Sequence, residues 1–201
     1  MYEGVLRDPG FYRFLVHADR ELAEQTRRSR CRFCGAALHS AQYLRKPRGV
    51  PDEIDPGAEF LVCFSFCCSA EGCRKRHRAP SVRFLSRKVY LSAMVVLLTA
   101  MQQGPSPRSA RRLALFGADR RTLGRWRHWW ESVFPRSIFW GRLRGFFPTG
   151  VSHWQLPRAL LSCLLGSTVG ERVLQILRLV SGICRLSDGQ PPPAENARCR
   201  P

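Results

Sequence analysis

The sequence predicts a mainly α-helical fold that contains one small β module. Three observations predict this fold class. Two cysteine pairs lie within a stretch that prolines and glycines interrupt, and helical patterns of apolar residues flank that stretch on both sides. Further along the chain, a glycine and an aspartate separate two short segments of helical length. We therefore expect short helices around a module whose own apolar residues are too few to build a core.

The charge of the chain is strongly basic. Its 201 residues include 33 basic and 15 acidic side chains, which gives a formal net charge of +18 and a pI near 10.9. Such a surface attracts polyanions, with nucleic acid as the first candidate and an anionic membrane as the second. Arginine far outnumbers lysine, which suits bidentate phosphate and guanine contacts, although a GC-rich genome produces the same bias.

The sequence shows no pattern for secretion or membrane insertion. Residues 1–8 lack a basic segment followed by an apolar one, so we expect the nine cysteines to belong to a reduced, intracellular protein. The longest apolar stretch, from Val89 to Met101, is shorter than the ~20 residues that cross a bilayer. We expect a cytoplasmic, nucleoid-associated protein with no membrane partner.

The first predicted segment, residues 1–30, holds an amphipathic helix over residues 9–29. Its apolar side chains recur at helical spacing, so we expect them to cover another element of the protein. These side chains are Phe11, Phe14, Leu15, Ala18 and Leu22.

The second segment, residues 31–85, is the cysteine module. Its prolines and glycines predict a long loop over residues 47–57. The apolar run at residues 59–66 predicts a strand that leads into the second cysteine pair. Two such pairs can bring four thiolates around one tetrahedral Zn²⁺, which would make the module a small β zinc ribbon.

We predict that two pairs of cysteines bind this single, structural zinc ion. They are Cys31, Cys34, Cys68 and Cys73. The first pair, followed by Gly35, resembles a zinc knuckle, in which backbone amides point at the sulfur atoms. In the second pair Cys67 is a rival to its neighbour, because adjacent residues of an extended chain point in different directions. We expect Cys63 to pack in the core, and His39 is a weaker ligand candidate.

The third segment, residues 86–134, is predicted to be helical. Ser86 fits the N-cap of a helix that runs to Met101. Two shorter helices follow, over about 108–116 and 120–133, and Gly117 and Asp119 supply the usual C-terminal and N-terminal caps between them. This arrangement predicts a helix-turn-helix.

The second of these short helices has two different faces at 100° per residue. Its apolar face comprises Leu123, Trp126 and Trp130, and Val133 extends it. Its cationic face comprises Arg121, Gly124, Arg125 and His128. Residues 107–145 carry ten basic and two acidic side chains, which favours a DNA recognition helix over a surface helix with solvated arginines.

The remainder of the chain forms the fourth and fifth predicted segments. Residues 135–186 begin with an aromatic and glycine-rich loop and continue with leucine-rich helices at 157–165 and 169–185. We expect these helices to pack on the core or to mediate self-association or contact with a transposase partner. The tail, residues 187–201, is predicted to be disordered.

The cysteine module and the helix pair together resemble the N-terminal region of bacterial insertion-sequence transposases. In those proteins a zinc ribbon with a cysteine pair, a basic segment and a proline-containing strand precedes a homeodomain-like helix-turn-helix. Residues 31–85 and residues 115–126 carry the resemblance here. It implies a DNA-binding protein of mobile-element origin.

The sequence departs from that family where catalysis would occur. Two-metal phosphoryl transfer needs several carboxylates, and few acids follow the helix pair. They are Glu131, Glu171, Asp188 and Glu195. We therefore expect no catalytic residues and no enzymatic activity. The alternatives are a truncated or split transposase with an acidic triad, and a zinc-ribbon module that binds protein or RNA.

The expected partner is double-stranded DNA, and two groups of side chains are predicted to contact it. Contacts with the phosphate backbone of DNA are expected from Arg74, Lys75, Arg76, Arg78, Arg87 and Lys88. The second short helix is expected to contact DNA through Arg120, Arg121, Thr122, Arg125 and His128. Of these, Arg121 and Arg125 are expected to make most of the contacts with base edges.

Overall fold

A computed structural model describes residues 2–85, 89–101, 107–147, 151 and 155–181, and its fold is mainly helical with two small antiparallel sheets. The predicted fold class is confirmed at this level. The helices are α1 (Tyr2–Leu6), α2 (Pro9–Arg28), α3 (Ser92–Met101), α4 (Pro107–Leu115), α5 (Arg120–His128), α6 (Ile138–Leu143), α7 (Arg158–Cys163) and α8 (Val169–Ser181). The strands are β1 (Leu38–Ser40), β2 (Tyr43–Leu44), β3 (Val62–Cys63), β4 (Ser65–Cys68) and β5 (Arg76–Arg78).

Helix α2 confirms the predicted N-terminal helix almost to the residue. Asp8 caps it by accepting a hydrogen bond from the Gly10 amide at 2.8 Å, and Pro9 occupies the first turn, where it costs no backbone bond. The predicted buried face is partly wrong. Phe14 is 42% exposed, whereas Asp19 is buried at 1% exposure. The helix is rotated so that this carboxylate points into the protein.

The rotation of α2 is explained by a buried ion pair between α2 and the end of the cysteine module. Asp19 Oδ2 accepts from Arg83 Nε at 2.7 Å, and its other oxygen accepts from the Val82 amide at 2.6 Å. The guanidinium also donates to the carbonyl oxygens of Phe60 and Val62. Arg83 is fully buried, so every one of these bonds replaces a bond to water. We call the Asp19–Arg83 pair the clamp.

The cysteine module contains a three-stranded sheet in the order β1–β4–β5 and a separate β2–β3 pair. The predicted strand over 59–66 is wrong in its first half, where Ala58–Leu61 forms a 3₁₀ turn whose carbonyls face the clamp. The chain becomes extended only from β3 onward. In β5 the central residue His77 is buried, while Arg76 and Arg78 are exposed, as alternation along a strand requires.

Helix α3 begins later than the sequence predicts. Residues 86–88, which include the proposed cap Ser86, lie outside the described residues. Val89 is 53% exposed and Tyr90 is bridged to Arg48, so neither belongs to the helix, which starts at Ser92. Every residue of α3 before its last is buried, because a helix that is apolar on all sides packs at the centre of the protein.

Helices α4 and α5 have the predicted order and the predicted caps between them, and the agreement continues to the end of α5. Gly117 has φ +57°, and the Asp119 side chain accepts from the Thr122 amide at 2.6 Å. Beyond α5, residues Trp129–Val133 form a π-helical turn. Such a turn contains an extra residue and shifts the helical register, so Val133 is 48% exposed. The prediction that Val133 extends the apolar face is wrong for this reason.

The C-terminal part contains one more helix than the sequence predicts. The aromatic segment that was predicted to be a loop forms α6, which Ser137 caps by accepting from the Trp140 amide at 3.1 Å. Helix α8 starts with a capping box, in which Thr168 Oγ1 accepts from the Glu171 amide and the Glu171 carboxylate accepts from the Thr168 amide. The predicted tail 187–201 and the end of the last predicted helix lie outside the described residues.

A single large apolar core joins the helices, and its members come from α1 through α8. It contains Tyr12 and Phe60 as well as Trp130 and Leu177, which the sequence places in four different segments. The segment boundaries remain predictions, but these segments share a core. Across the described part of the chain, no helix has both the length and the apolar character needed to cross a membrane.

Candidate metal centre and cationic surfaces

Four cysteine sulfur atoms meet at one end of the cysteine module. All four lie within 4.8 Å of one another. They belong to Cys31, Cys34, Cys68 and Cys73, the residues that the sequence singles out. Cys31 Sγ lies 3.7 Å from Cys73 Sγ, and Cys34 Sγ lies 3.4 Å from Cys68 Sγ. We call these atoms the sulfur cluster.

The sulfur cluster is held by two loops with the same backbone turn. In the first loop the Gly35 amide donates to the Cys31 carbonyl at 2.8 Å, and Gly35 has φ +73°. In the second loop the Arg74 amide donates to the Ala70 carbonyl at 2.9 Å, and Arg74 has φ +44°. In both loops the residue after the last cysteine is left-handed, and its amide bonds to the carbonyl four residues earlier. The first loop uses glycine at this position and the second an arginine, which bears the cost of a Cβ there.

The sulfur cluster cannot carry four negative charges without a cation. Burial opposes ionisation of the Cys31 thiol, but the backbone amides of Phe33 and Cys34 and the ring of His77 together lower its pKa to about 6. Burial and the neighbouring sulfur atoms raise the pKa of Cys68 to about 12. One thiolate therefore forms easily, and its charge opposes the ionisation of the others.

The geometry of the sulfur cluster fits a tetrahedral metal ion. At a Zn–S distance of about 2.3 Å, a regular tetrahedron places its sulfur atoms about 3.8 Å apart. The two distances above, 3.7 and 3.4 Å, are close to that value. Four sulfur donors also leave no position for water, which is the ligand set of structural sites. The four cysteines could thus hold a metal ion such as zinc.

Two residues beside the sulfur cluster were missed by sequence reasoning. His77 is buried, and its Nε2 lies 3.3 Å from Cys31 Sγ, a contact that can orient this candidate ligand atom. Phe33 lies between the first two cysteines, and its ring centroid is 5.7 Å from that of His77. The alternation of β5 could have indicated that His77 points away from Arg76 and Arg78, toward the cysteines.

The other sulfur and imidazole candidates lie away from the cluster. Cys67 points to the opposite face of β4, where its Sγ lies 3.4 Å from the Arg74 carbonyl oxygen. Cys67 is disulfide-bonded, so the expectation that all nine cysteines are reduced is wrong for this residue. Cys63 is buried in the large core, as predicted. His39 is exposed on β1, where it is paired with Cys67 across the sheet.

The basic run after the second cysteine pair does not present one surface. Lys75 lies on the side of the first loop, with Nζ 4.0 Å from the centre of the Phe33 ring. Arg76 and Arg78 project from the opposite face of β5, and the former lies over the ring of Tyr43 at 5.1 Å. Arg74 is half-buried. Arg87 and Lys88 lie outside the described residues.

Helix α5 exposes the cationic face that the sequence predicts. Leu123 and Trp126 are buried against the core. The exposed residues of this helix are Arg120, Arg121, Gly124, Arg125 and His128. Thr122 is an exception to the prediction, because it is 4% exposed. Its hydroxyl accepts from Arg125 at 3.0 Å, so it positions that arginine and is not itself available to a partner.

Comparisons with protein-family models, with curated proteins and with solved structures found no match to this chain. The sulfur cluster and the cationic surfaces are therefore interpreted from their own geometry and chemistry.

Proposed function

We propose that this chain is a DNA-binding protein in which the sulfur cluster holds one structural Zn²⁺ ion and α4 and α5 act as a helix-turn-helix. The cysteine module is then a zinc ribbon, and the protein contacts duplex DNA without cutting it. The transposase-like origin of the two motifs is part of the same proposal, and it rests on the order of cysteine pairs, basic run and helix pair along the chain.

The observation that carries the proposal is the division of α5 into two faces. Two large apolar side chains anchor the helix, while Arg121, Arg125 and His128 are exposed along one side with Gly124 between them. The absence of a side chain at Gly124 leaves room for close approach to a groove wall; a Cβ there would meet no atom of the protein within 4 Å. A helix of this shape can place arginines against base edges in the major groove.

The zinc ion contributes folding and not chemistry in this proposal. Its four sulfur donors would fill its coordination shell, so that it would not activate a water molecule. Its role is to fix the two loops that carry Arg32 and Lys75. Further phosphate contacts would come from Arg76 and Arg78 on the other face of the sheet.

A salt titration tests the proposal. If about six phosphates are neutralised, the logarithm of the association constant for duplex DNA falls with the logarithm of the salt concentration at a slope near −5. We expect Arg121→Ala with Arg125→Ala to lower that affinity and to reduce the slope by about 2, since each arginine releases about one counterion. A slope near zero would contradict DNA binding.

A matched control separates a specific role of α5 from non-specific attraction of DNA by the positive charge of the protein. Arg13→Ala removes an exposed arginine from α2 and changes the net charge by the same amount per substitution. It is expected to alter duplex affinity less than either α5 substitution. Equal effects of all three would indicate non-specific attraction by a basic protein.

A further inference from the structure

The tip of the first cysteine loop carries an exposed aromatic ring with cations beside it. Phe33 lies between two residues of the sulfur cluster, and 51% of its surface is exposed. The Arg32 guanidinium carbon lies 4.9 Å from the ring centroid, and Lys75 Nζ lies 4.0 Å from it. A single exposed apolar side chain is ordinary on a protein surface, so this ring is of interest because cations lie beside it and half of its surface is open to a partner.

The loop tip is rigid for two reasons. The backbone on both sides of Phe33 is tied to the sulfur cluster, because the amides of Phe33 and Cys34 both bond to Cys31 Sγ. The ring itself packs on His77, which is buried beneath it. A ring held in this way loses little conformational entropy when a second flat group stacks on it.

The sequence around the tip is mostly cationic, and the one acid of the second cysteine loop, Glu71, precedes Gly72. Residues 27–35 and 72–78 contain no aspartate or glutamate. They contain Arg27, Arg28, Arg30, Arg32, Arg74, Lys75, Arg76 and Arg78. The first two of these are paired with Glu24, and the cations nearest the ring are exposed. The tip therefore combines a flat apolar surface with positive charge, the pair of features that binds single-stranded nucleic acid.

We propose that Phe33 is a stacking site for an unpaired base of single-stranded DNA, with Arg32 and Lys75 contacting the adjacent phosphates. The choice of DNA as the strand rests on the proposed function, whereas the stacking itself rests on the geometry of the tip. The incoming base replaces Lys75 over the ring, and the displaced ammonium pairs with a phosphate. Duplex DNA cannot use this site, because its bases are already stacked on each other.

The experiment compares how tightly two single-stranded probes bind to the zinc-loaded full chain. One is a fluorescein-labelled oligothymidylate of about ten nucleotides, and the other has the same backbone with abasic residues. Phe33→Ala is expected to weaken binding of the oligothymidylate by about 5- to 150-fold, the effect of losing one stacked base. Binding of the abasic probe is expected to stay unchanged, and Phe33→Trp is expected to restore the lost affinity.

Controls make the result specific to the loop tip. Phe14→Ala removes another half-exposed phenylalanine, on α2, and is expected to leave both probes unaffected. The zinc content of each variant, measured alongside, identifies any loss of the sulfur cluster. Equal weakening of both probes by Phe33→Ala, or no weakening of either, would overturn the stacking site.

The outcome is distinguishable from failure of the proposed function. Duplex affinity depends on the α5 arginines and is expected to be insensitive to Phe33→Ala. If duplex binding fails but the base-dependent loss persists, the stacking site stands and the helix-turn-helix does not. An oligouridylate RNA probe and an oligodeoxyuridylate DNA probe carry the same base and test the strand: a loss on the RNA without a loss on this DNA would overturn the assignment to DNA.

Discussion

The cysteine module and the helical region are held together in different ways. Around the sulfur cluster, the small apolar cluster has six buried members among the described residues, and two of those are cysteines of the cluster itself. The large core has thirty-six buried members over the same described ranges, with Trp130 and Leu97 completely covered. Apolar burial stabilises the helical region in proportion to its area, and the tip of the cysteine module has little such area.

The two regions should therefore respond to different perturbations. With a metal bound as proposed, the sulfur cluster end would depend on a cation that neutralises close thiolates, whereas the helical region depends on exclusion of water. The clamp connects the two, because Asp19 belongs to α2 and Arg83 ends the cysteine module. Variants that act on one region, on the clamp, or on one backbone turn test whether the regions are stabilised separately.

The largest expected effect is loss of the metal. Removing zinc with a chelator, or substituting Cys31→Ser, should unfold the loops around the sulfur cluster, because structural zinc contributes on the order of 10 kcal/mol in small zinc modules. Metal analysis should give one zinc per chain for the native protein and none for the variant. Hydrogen exchange should show lost protection near residues 31–40 and 65–78, with protection of α3 retained.

The matched control for the metal is another cysteine. Cys163→Ser changes a partly buried cysteine on α7, outside the sulfur cluster, and should keep the full zinc content. If α3 lost its protection together with the loops, the two regions would form one cooperative unit, and the comparison would be wrong.

The next largest effect is expected at the clamp. Asp19→Ala leaves the Arg83 guanidinium buried without its counter-ion, which should lower the free energy of unfolding by about 3–5 kcal/mol. Urea denaturation of the zinc-loaded protein measures this loss. Glu21→Ala on the same helix removes an exposed partner of Arg178 and should change the free energy of unfolding by about 1 kcal/mol or less. Similar losses in both variants would show that burial of the clamp does not matter.

The sequence could predict the sulfur cluster but not the clamp, for a physical reason. Metal ligands come in short spacings, so Cys31 and Cys34 are visible as a pair within one turn of chain. The partner of Asp19 is 64 residues away, and nothing in the helical pattern of α2 marks one acid as buried. The pattern therefore favoured Phe14 for that face, which is exposed.

Local departures from ideal helices were also invisible in the pattern. A helical wheel assumes one constant period, and the π turn after α5 breaks that period, so the position of Val133 was wrong while those of Leu123 and Trp126 were right. Helix α6 was missed because aromatic residues and glycine suggested a loop, whereas Ser137 capped a helix whose Trp140 packs in the core. The Ser137 cap is a local feature of the sequence, whereas the burial of Trp140 depends on tertiary packing that the pattern does not contain.

A smaller effect is expected at the start of α5. Backbone and side-chain hydrogen bonds from Thr122 lower the pKa of Asp119, so the ionised cap is favoured in the folded state. Its contribution is complete above the unfolded pKa of about 3.9 and is lost as the pH falls through the lower folded value. Asp119→Ala should lower the Tm at neutral pH by about 2–4 °C.

The variant Asp119→Asn separates the titration of the Asp119 carboxylate from the capping hydrogen bond that this side chain accepts. Asp119→Asn keeps an acceptor for the helix amides but has no proton to lose, so its Tm at neutral pH should stay close to that of the native protein. Zinc loss at low pH affects both proteins equally and cancels in their difference. An acid dependence shared fully by the asparagine variant would remove Asp119 as a contributor.

The smallest effect, and the only stabilising one, is expected in the second cysteine loop. Arg74→Gly should relieve the steric strain of a Cβ at φ +44°. Glycine also makes the unfolded chain more flexible, which offsets part of this gain. We therefore expect the free energy of unfolding to rise by roughly 0.5–1 kcal/mol. Thermal unfolding of the zinc-loaded protein measures it. Arg32→Gly, in the first loop and without a positive φ, should instead destabilise; stabilisation by both variants would contradict a backbone origin.

The clamp also has a consequence for the order in which the protein is made. Synthesis proceeds from the N-terminus, so Asp19 leaves the ribosome 64 residues before Arg83 does. Until then, docking of α2 would bury an uncompensated carboxylate, which costs several kcal/mol. We expect the nascent helix to remain undocked until Arg83 has been translated. We therefore expect one buried charge to delay closure of the N-terminal helix over the cysteine module until both cysteine loops have emerged.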